Sequence, residues 1–417
     1  MVNLHQAIPT GQQSLPDDAA STFIIKMAKA LATYGAPAHR LEDALNTVSD
    51  RLGIEGQFFS APTAVFASLN FPGGKPHTYL IRVHPGEVHL ERMVQLDEIL
   101  VEVGEGRLSP AKGSERIDTA LAEQDRYGPL LTIASFSVSS ACAARFFGGG
   151  LNEIFAALFA GLAIGLLIVF ASRGRDLARL IEFMCGLMVA FGAVAWARLV
   201  QPISPEILML AGLIVLFPGL TLTMAINELA TRNLSSGTSR MMSAVTALVS
   251  IGFGVALGTK LADMAFGAAV AQHEPGGLPG WTLYVAVAIA PVALTVLFKA
   301  RPLDTPALIL SGLIAYAGAR IGAHNFGPEL GACVGAGLMG LYANLYSRVA
   351  RRPSTVPSTV GVMLLVPGSI SFRSVSSFLE HDAVGGIETA FTTLLVAMSL
   401  VIGFLLSNVA LPARRAL

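Results

Sequence analysis

The chain has 417 residues, of which 53% are hydrophobic and 13% are charged. A soluble globular protein carries about 25% charged residues, so this composition excludes an ordinary soluble protein and indicates an integral membrane protein. The 28 basic residues balance the 28 acidic ones, which gives no overall charge for binding nucleic acid. The three cysteines have neither metal-ligand spacing nor a disulfide pattern, so no metal and no cofactor are predicted.

Residues 1–128 have the composition of a small α/β domain. The first twenty are polar and contain two prolines, unlike a signal peptide. Apolar residues at helical spacing predict two amphipathic helices, which end at Gly35 and Gly53. "GQFFSAPTAVFASLNF" is rich in aromatic and β-branched residues, and the turn sequence "PGGKP" joins it to "HTYLIRVH", which predicts a hairpin. A helix from about Arg92 to Gly104 and a helical linker from Ser114 to Asp125 complete the domain.

Histidines in this domain raise the alternative of a metal site. His84 and His89 fall on opposite faces of the predicted strand, however, so surface residues of the hairpin are the better interpretation. His39 shares one helix with Glu42 and Asp43, which predicts a solvated face. One hypothesis for the whole domain is a gate or a substrate vestibule.

From Pro129 onward the chain consists of apolar segments of about 20 residues, the length that crosses a hydrocarbon core about 30 Å thick. Ten such spans are predicted, which makes the chain an α-helical polytopic membrane protein. The spans cover residues 129–147, 151–171, 178–199, 204–226, 238–260, 281–299, 303–323, 328–347, 356–376 and 386–410.

Positive charges are unevenly distributed between the two sets of loops. One set, with the C-terminal end, holds twelve: Arg173, Arg175, Arg179, Arg232, Arg240, Lys299, Arg301, Arg348, Arg351, Arg352, Arg414 and Arg415. The other set and its edges hold five: Arg145, Arg198, Lys260, Arg320 and Arg373. By the positive-inside rule, this imbalance predicts that both termini and the N-terminal domain are cytoplasmic.

Two of the predicted spans carry a proline followed by a glycine near their middle. "LFPGLTLTMAINELA" contains Pro218 and Gly219, and "LLVPGSISFRSVSSF" contains Pro367 and Gly368. Proline removes a backbone donor and clashes with the preceding turn, so each pair should break or kink its helix. Freed backbone groups at this depth are tolerated only where they face a cavity or neighbouring helices.

The two breaks reveal an internal repeat, with an offset of 367 − 218 = 149 residues. The same offset maps each of the first five predicted spans onto one of the last five. We therefore predict two five-helix repeats, residues 129–262 and 278–411, of which the second is inverted because five is odd. Inverted repeats with matched broken helices are an architecture of secondary transporters, with the substrate site near the bilayer midplane.

Polar side chains follow both breaks and complete the predicted substrate site. We expect the two Pro-Gly pairs to hold a zwitterionic or anionic solute together with these side chains, the arginine binding a carboxylate. The predicted substrate-binding residues are Pro218, Gly219, Thr221, Thr223, Asn227, Pro367, Gly368, Ser369, Ser371 and Arg373. The alternative is a plain proline kink in each helix.

Acidic residues within the spans are the candidates for proton coupling, because a charge there is costly and usually faces a cavity. Glu182 in the third span and Glu228 after the first break are the preferred residues. An equally good interpretation places Glu182 at the interface beside Arg179. Three arginines near the outer ends are expected to extend to the lipid headgroups: Arg145, Arg198 and Arg320.

The segment "LFPGLTLTMAINELATRNLSSGTSR" closely resembles the signature of the threonine/serine exporter (ThrE) family, and "LATYGAPAHRLEDALNTVSDRLG" followed by "APTAVFASL" is similar to that family's cytoplasmic domain. The resemblance covers nearly the whole chain, in a fused two-module form. It implies ten spans and export of threonine and serine, driven by the proton-motive force, across the cytoplasmic (inner) membrane of a bacterium. Relatives with the two modules on separate chains are associated with succinate export, so a dicarboxylate substrate is the alternative.

Other classes of function lack support in the motifs. No GxxxxGK[ST] phosphate-binding loop occurs, which argues against an ATP-driven pump. No nucleophile elbow or HExxH motif supports an enzyme, so a membrane-embedded enzyme and a sensor stand as the less favoured alternatives. The expected partners are a small-molecule substrate, protons and the lipid bilayer, and a homo-oligomer is left open.

Overall fold

A computed structural model describes residues 18–171, 174–267, 275–379 and 381–413. Most of the polar leader and three arginines of the charge count, Arg173, Arg414 and Arg415, lie outside these ranges. The first elements form what we call the N-terminal segment, residues 18–122. They are α1 (Asp18–Thr33), α2 (Ala38–Arg51), β1 (Glu55–Ala61), β2 (Ala64–Asn70), β3 (His77–Arg82), α3 (Leu90–Gly104) and α4 (Pro110–Ala122).

The three strands form one antiparallel sheet in the order β1-β2-β3. The segment predicted as the first arm of a hairpin is in fact two strands, with Phe59 opposite Phe66, because the chain turns at Pro62 and Thr63. The predicted hairpin across "PGGKP" is the pairing of β2 with β3, with Phe66 opposite Leu80. One core joins one face of this sheet to the helices through side chains that include Phe23 and Val65.

The rest of the chain is helical. Its helices are α5 (Pro129–Phe146), α6 (Leu151–Ala171), α7 (Arg175–Arg179), α8 (Ile181–Leu199), α9 (Pro205–Leu213), α10 (Gly219–Ala230), α11 (Leu234–Phe266), α12 (Trp281–Leu297), α13 (Thr305–Phe326), α14 (Pro328–Ala350), α15 (Thr355–Met363), α16 (Gly368–Leu379) and α17 (Ala383–Ala410).

Within the described residues, six helices are long and apolar enough to cross a membrane, and α15 with α16, bent by 41°, makes a seventh. The chain is therefore a polytopic membrane protein. Three of the ten predicted spans are not among these seven. Helix α12 has only 17 residues, the fourth predicted span is divided into the short helices α9 and α10, and α14 is long enough but not sufficiently apolar. The ten-span count stays a prediction.

The offset of 149 residues recurs in the bounds of the helices. Helix α10 begins at Gly219 and α16 at Gly368, and α11 begins at Leu234 and α17 at Ala383. Contacts between helices recur in the same way. The pairs α5·α6, α8·α9, α8·α11 and α10·α11 have counterparts in α12·α13, α14·α15, α14·α17 and α16·α17.

The N-terminal segment is docked on one end of the helix bundle, which we call the near side; the other end is the far side. The backbone N–H of Leu90 donates to the carbonyl of Phe298 at 2.9 Å, and the Tyr127 hydroxyl donates to the carbonyl of Ala300 at 2.6 Å. Lys299 and Asp125 form an ion pair at 2.8 Å. These contacts hold the segment against the near end of α12.

Candidate functional site

The two breaks contact each other inside the bundle. A Cβ atom built on Gly219 would lie 1.8 Å from Cγ1 of Val366 and 3.2 Å from Cα of Gly368. The rings of Phe217 and Phe372 stack beside this contact, with their centroids 4.9 Å apart. Only glycine fits at position 219, because any side chain there would push the two broken helices apart.

Each proline deprives one carbonyl of its helical donor. In a continuous helix the carbonyl of residue i accepts from the N–H of residue i+4, and proline has none. The residues four positions before Pro218 and Pro367 are Ile214 and Met363. Both residues line the same cavity, so the two breaks adjoin one site.

This central cavity has a volume of about 310 Å³. Besides Ile214 and Met363, four polar side chains line it: Ser139, Tyr316, Arg320 and Ser369. The Ser139 hydroxyl is buried and has no hydrogen-bond partner among the described residues. Arg320 is the only charged side chain in the lining, and the described part of the chain offers it no ion pair. The cavity therefore combines one cationic group with a hydroxyl that lacks a partner among the described residues.

A second, near cavity of about 200 Å³ lies between α2 of the N-terminal segment and helices α10, α14, α15 and α17. Arg40 contributes its guanidinium, whose Nη1 donates to Oγ of Ser354 at 3.0 Å. Asn344 Nδ2 donates to Asn408 Oδ1 at 2.9 Å in the opposite wall. Among the described residues that line this cavity, none is an aspartate or a glutamate.

His39 lies in the wall of the near cavity, so the prediction of a solvated face is wrong for this residue. Burial, and to a lesser degree the charge of Arg40, lowers the pKa of His39 to about 4. The imidazole is therefore neutral at ordinary pH. The Nδ1 atom of His39 is buried without a partner among the residues described. Glu42, on the same helix, instead accepts from the backbone N–H of Ser60 at 2.7 Å.

The interpretation of the other two histidines as hairpin surface residues is also only half right. His84 is exposed, whereas His89 is buried and caps α3 by accepting from the N–H of Arg92. The Nε2 atom of His89 lies 3.2 Å from a carboxylate oxygen of Asp125. In the described part of the chain, no group of three or more residues has the side chains and proximity to hold a metal ion.

Glu228 is a buried junction between three elements. Its carboxylate accepts from the N–H of Ala38 at 2.9 Å, from Oγ of Ser236 at 2.7 Å and from Nε of Arg240 at 3.0 Å. The Glu228 side chain is 0% exposed. The residue predicted for proton coupling thus joins α10 to α11 and to the first turn of α2.

Two of the hydroxyls that follow the breaks donate hydrogen bonds to backbone carbonyls four residues earlier in the chain. Thr223 Oγ1 donates to the carbonyl of Gly219 at 3.0 Å, and Ser371 Oγ donates to the carbonyl of Pro367 at 2.7 Å. These bonds satisfy carbonyls in the first turn after each break. Asn227 and Thr223 line the near cavity, and Ser369 lines the central one.

Only three of the twelve predicted residues line a cavity, namely Thr223, Asn227 and Ser369. The nine that line neither are Pro218, Gly219, Thr221, Glu182, Glu228, Pro367, Gly368, Ser371 and Arg373. Glu182 lies in the first turn of α8, and Thr221 is half-buried in α10. Arg373 forms an ion pair with Glu206 at 3.4 Å, and both side chains are more than half exposed. Arg373 therefore links α16 to the start of α9 at the far side.

Sequence reasoning missed the residues that supply both cavities with positive charge. Arg320, expected from the sequence to extend to the headgroups, is exposed and also lines the central cavity. Arg40 lies in "GAPAHRLED", on the predicted amphipathic helix of the N-terminal domain. Nothing in that pattern indicates that its side chain lines a cavity in the helix bundle. Nothing in the sequence distinguishes Ser139 from the other serines of its span.

Several apolar spans with paired broken helices define the class as a polytopic membrane protein, in an arrangement typical of transporters. Two family models match the chain. The model described as "Putative threonine/serine exporter" matches residues 22–262, and "Threonine/Serine exporter, ThrE" matches residues 283–410. The chain belongs to the threonine/serine exporter (ThrE) family, in its fused two-module form. No solved structure matches it.

Curated relatives carry the name "Pheromone-regulated membrane protein 10". The chain is 25% identical over 378 residues to that of Pichia sorbitophila, covering 88% of this chain and 37% of the relative. It is 26% identical over 389 residues to that of Candida albicans, covering 88% and 34%, and 24% identical over 377 residues to that of Saccharomyces cerevisiae, covering 89% and 48%. The chain thus spans about a third to a half of these relatives' own lengths.

These comparisons correct one expectation. The sequence resemblance implies the inner membrane of a bacterium, but the curated relatives are membrane proteins of yeasts and other fungi. A eukaryotic membrane is therefore indicated, and the bacterial assignment is wrong. The physical requirement on the chain is unchanged, because a bilayer of either origin presents a hydrocarbon core of about 30 Å.

Proposed function

We propose that this protein is a secondary transporter that exports small hydrophilic amino acids, with threonine and serine as substrates. Membership of the exporter family supports the transport of a small molecule across a membrane. The offset of 149 residues, repeated in the helix bounds and in the helix contacts, supports ten spans arranged as inverted repeats of residues 129–262 and 278–411. Residues 1–128 would form the domain attached to this carrier.

The central cavity is the observation that carries this proposal. An amino acid is a zwitterion, so its site needs one cationic group and several oxygen acceptors. Arg320 supplies a guanidinium that holds a carboxylate in a two-point contact. The carbonyls of Ile214 and Met363 and the Ser139 hydroxyl supply acceptors for the ammonium group and for a substrate hydroxyl.

Transport through this site requires the two halves to move relative to each other. The breaks cross at Gly219 and Gly368, and the central and near cavities have no lining residue in common. Alternating access would come from one repeat rocking against the other about this crossing. Proton coupling would act through Glu228, because protonating its carboxylate would weaken the bonds that hold α2 and α11 to α10; Glu182 is the second choice.

A dicarboxylate is the second candidate substrate. The lining of the near cavity includes Arg40 and His39 but no acidic side chain that would bind an ammonium group as an ion pair. A solute without an ammonium group, such as succinate, would need no such side chain. This alternative shares the carrier mechanism and differs only in the substrate.

The experiment is uptake into proteoliposomes containing the purified protein, with labelled threonine and labelled succinate in parallel, with and without a pH gradient. We expect gradient-stimulated threonine uptake that Arg320→Gln reduces at least tenfold. Arg145→Gln is the matched control, because Arg145 is bonded to Thr282 and lines neither cavity. Uptake of succinate alone would move the substrate to dicarboxylates, and flux of neither would contradict the proposal.

A further inference from the structure

We propose that the outer face of the three-stranded sheet, which carries Phe59, Phe66 and Leu80, rests on the lipid bilayer at the near side. The N-terminal segment then contacts the membrane directly, besides its attachment to the helix bundle. Its partner is the layer of the bilayer where acyl chains meet headgroups. This surface lies outside both cavities, so the inference does not depend on which solute is transported.

The outer face is apolar at its centre. Phe59, Phe66 and Leu80 lie directly opposite one another on β1, β2 and β3. Their side chains are 43% to 66% exposed, and the rings of the two phenylalanines have their centroids 6.1 Å apart. The inner face already has its core, which includes Val65 and Ile81. A contiguous exposed apolar patch of this kind marks a site of interaction with another apolar surface.

The charges of the outer face stand at its two ends. Successive side chains of a strand alternate between faces, so Arg82 shares the outer face with Leu80. Arg82 is exposed and lies opposite Ala64, at the end where β1 turns into β2. Glu55 is at the other end, where its carboxylate accepts from Nδ2 of Asn70 at 3.0 Å. The apolar row therefore has a basic end and an acidic end.

The basic end is the one held near the bundle. The backbone N–H of Ser60 donates to Glu42 at 2.7 Å, and Glu42 lies one turn of α2 beyond Ala38. The N–H of Ala38 donates to Glu228, and Ser236 in the first turn of α11 donates to the same carboxylate. Strand β1 also contacts α11 directly. An arginine at this end is placed to meet lipid phosphate groups.

The length of α11 sets the level of the sheet relative to the bilayer. At 1.5 Å per residue, its 33 residues are about 50 Å long, whereas the hydrocarbon core is about 30 Å thick. Its first turns therefore lie among the headgroups. Exposed apolar side chains follow one side of α11 from this end, including Leu234, Met242 and Val249. The outer face of the sheet thus continues a lipid-facing surface.

The size of the patch favours a bilayer over a second copy of the chain. Covering the exposed parts of three large side chains removes about 300 Å² from water. A stable dimer needs about 800 Å² on each partner. A bilayer contact needs no such area, because the bundle already holds the segment at the membrane and makes the contact intramolecular.

The test is spin labelling of the full-length chain in nanodiscs of phosphatidylcholine and phosphatidylserine. A nitroxide is attached to Leu80→Cys in a Cys333→Ala background, and the background chain is the labelling blank because Cys142 and Cys185 are buried. The readout is the collision rate with oxygen, which concentrates in lipid, relative to that with a water-soluble nickel chelate. Glu115→Cys is the control, since Glu115 is exposed on α4, which packs on α1 and α3.

We expect the ratio of oxygen to nickel collisions to be about tenfold higher at Leu80→Cys than at Glu115→Cys. Phe66→Cys, in the same row, should give the same result and replaces Leu80→Cys if that variant aggregates. Equal ratios at Leu80→Cys and Glu115→Cys would overturn the bilayer contact. Protection from both reagents would also overturn it, and dipolar broadening between labels would then identify a second copy as the cover. None of these outcomes depends on solute flux, so the proposed function is tested separately.

Discussion

The two broken helices share a backbone plan and differ in what surrounds them. Each has a proline, a glycine and a hydroxyl that bonds back to the first turn after the break. The helix after the first break carries Glu228, which is fully buried and bonded to Arg240 and to the N-terminal segment. The helix after the second break carries Arg373, whose partner Glu206 is exposed.

This difference teaches that similar backbone breaks are stabilised unequally. Buried, fully bonded ion pairs are strongly destabilised when one partner is removed, whereas exposed pairs contribute little. We therefore expect α10 to be held firmly to the near side and α16 to be held weakly at the far side. The following predictions test this contrast, in order of decreasing effect.

Glu228→Gln should destabilise the protein most. The change leaves Arg240, whose side chain is 17% exposed, without its counterion and weakens the bond from the N–H of Ala38. We expect a loss of about 3–5 kcal/mol in the free energy of unfolding, measured by denaturant titration in one detergent. Adding Arg240→Gln should recover part of the loss. A Glu228→Gln protein as stable as the wild type would remove the proposed contrast.

The near side should also respond to acid through His39. Its pKa is about 4 in the folded protein against an ordinary value of 6.5. Between these values the unfolded chain binds a proton that the folded chain does not. Stability should therefore fall as pH falls from 6.5 to 4, by about 1.4 kcal/mol per pH unit and about 3 kcal/mol in all.

The measurement is the free energy of unfolding as a function of pH, compared between the wild type and His39→Gln. The variant should show a flatter slope between pH 6.5 and 4 and no difference in slope above pH 7. His84→Gln is the control because His84 is exposed. Equal slopes in the wild type and His39→Gln would show that this imidazole is not buried in the near cavity.

The contact between the breaks should tolerate a methyl group at one glycine better than at the other. A Cβ on Gly219 meets Cγ1 of Val366 at 1.8 Å, whereas a Cβ on Gly368 meets Cβ of Phe217 at 3.0 Å. We expect Gly219→Ala to cost about 1–3 kcal/mol of stability and Gly368→Ala to cost less. Gly192→Ala is the control, with no atom within 4 Å.

Thermal unfolding and threonine uptake of the three glycine variants decide this prediction. Adding Val366→Ala to Gly219→Ala removes Cγ1 of Val366, the atom that the new methyl group would meet. The double variant should recover part of the unfolding temperature and part of the threonine uptake. Equal behaviour of Gly219→Ala and Gly192→Ala would mean that the breaks do not cross at this point.

The far-side ion pair should matter least for stability. Arg373→Gln and Glu206→Gln each remove a pair whose side chains are 54% and 71% exposed. We expect a change of at most about 1 kcal/mol in the free energy of unfolding, weakened further by salt. A double-mutant cycle of the two changes measures the coupling directly. A coupling as large as that of Glu228 with Arg240 would contradict the weak attachment of α16.

Much of the fold was accessible from local patterns. The membrane class follows from composition, the two breaks follow from proline and glycine in apolar runs, and the offset of 149 residues follows from comparing those runs. The turn that divides the first predicted strand at Pro62 was missed, because aromatic and β-branched residues on both sides of it concealed a two-residue connection.

The candidate site was predicted less well, for a physical reason. The sequence by itself determined which helices are broken and which carbonyls lose their donors, because these depend on residues within one turn. Only the tertiary structure decided that the breaks touch, that Ser139 and Arg320 share a cavity with them, and that Arg40 enters the bundle from another part of the chain. Those arrangements depend on packing between residues more than 70 positions apart, and no local periodicity records such contacts.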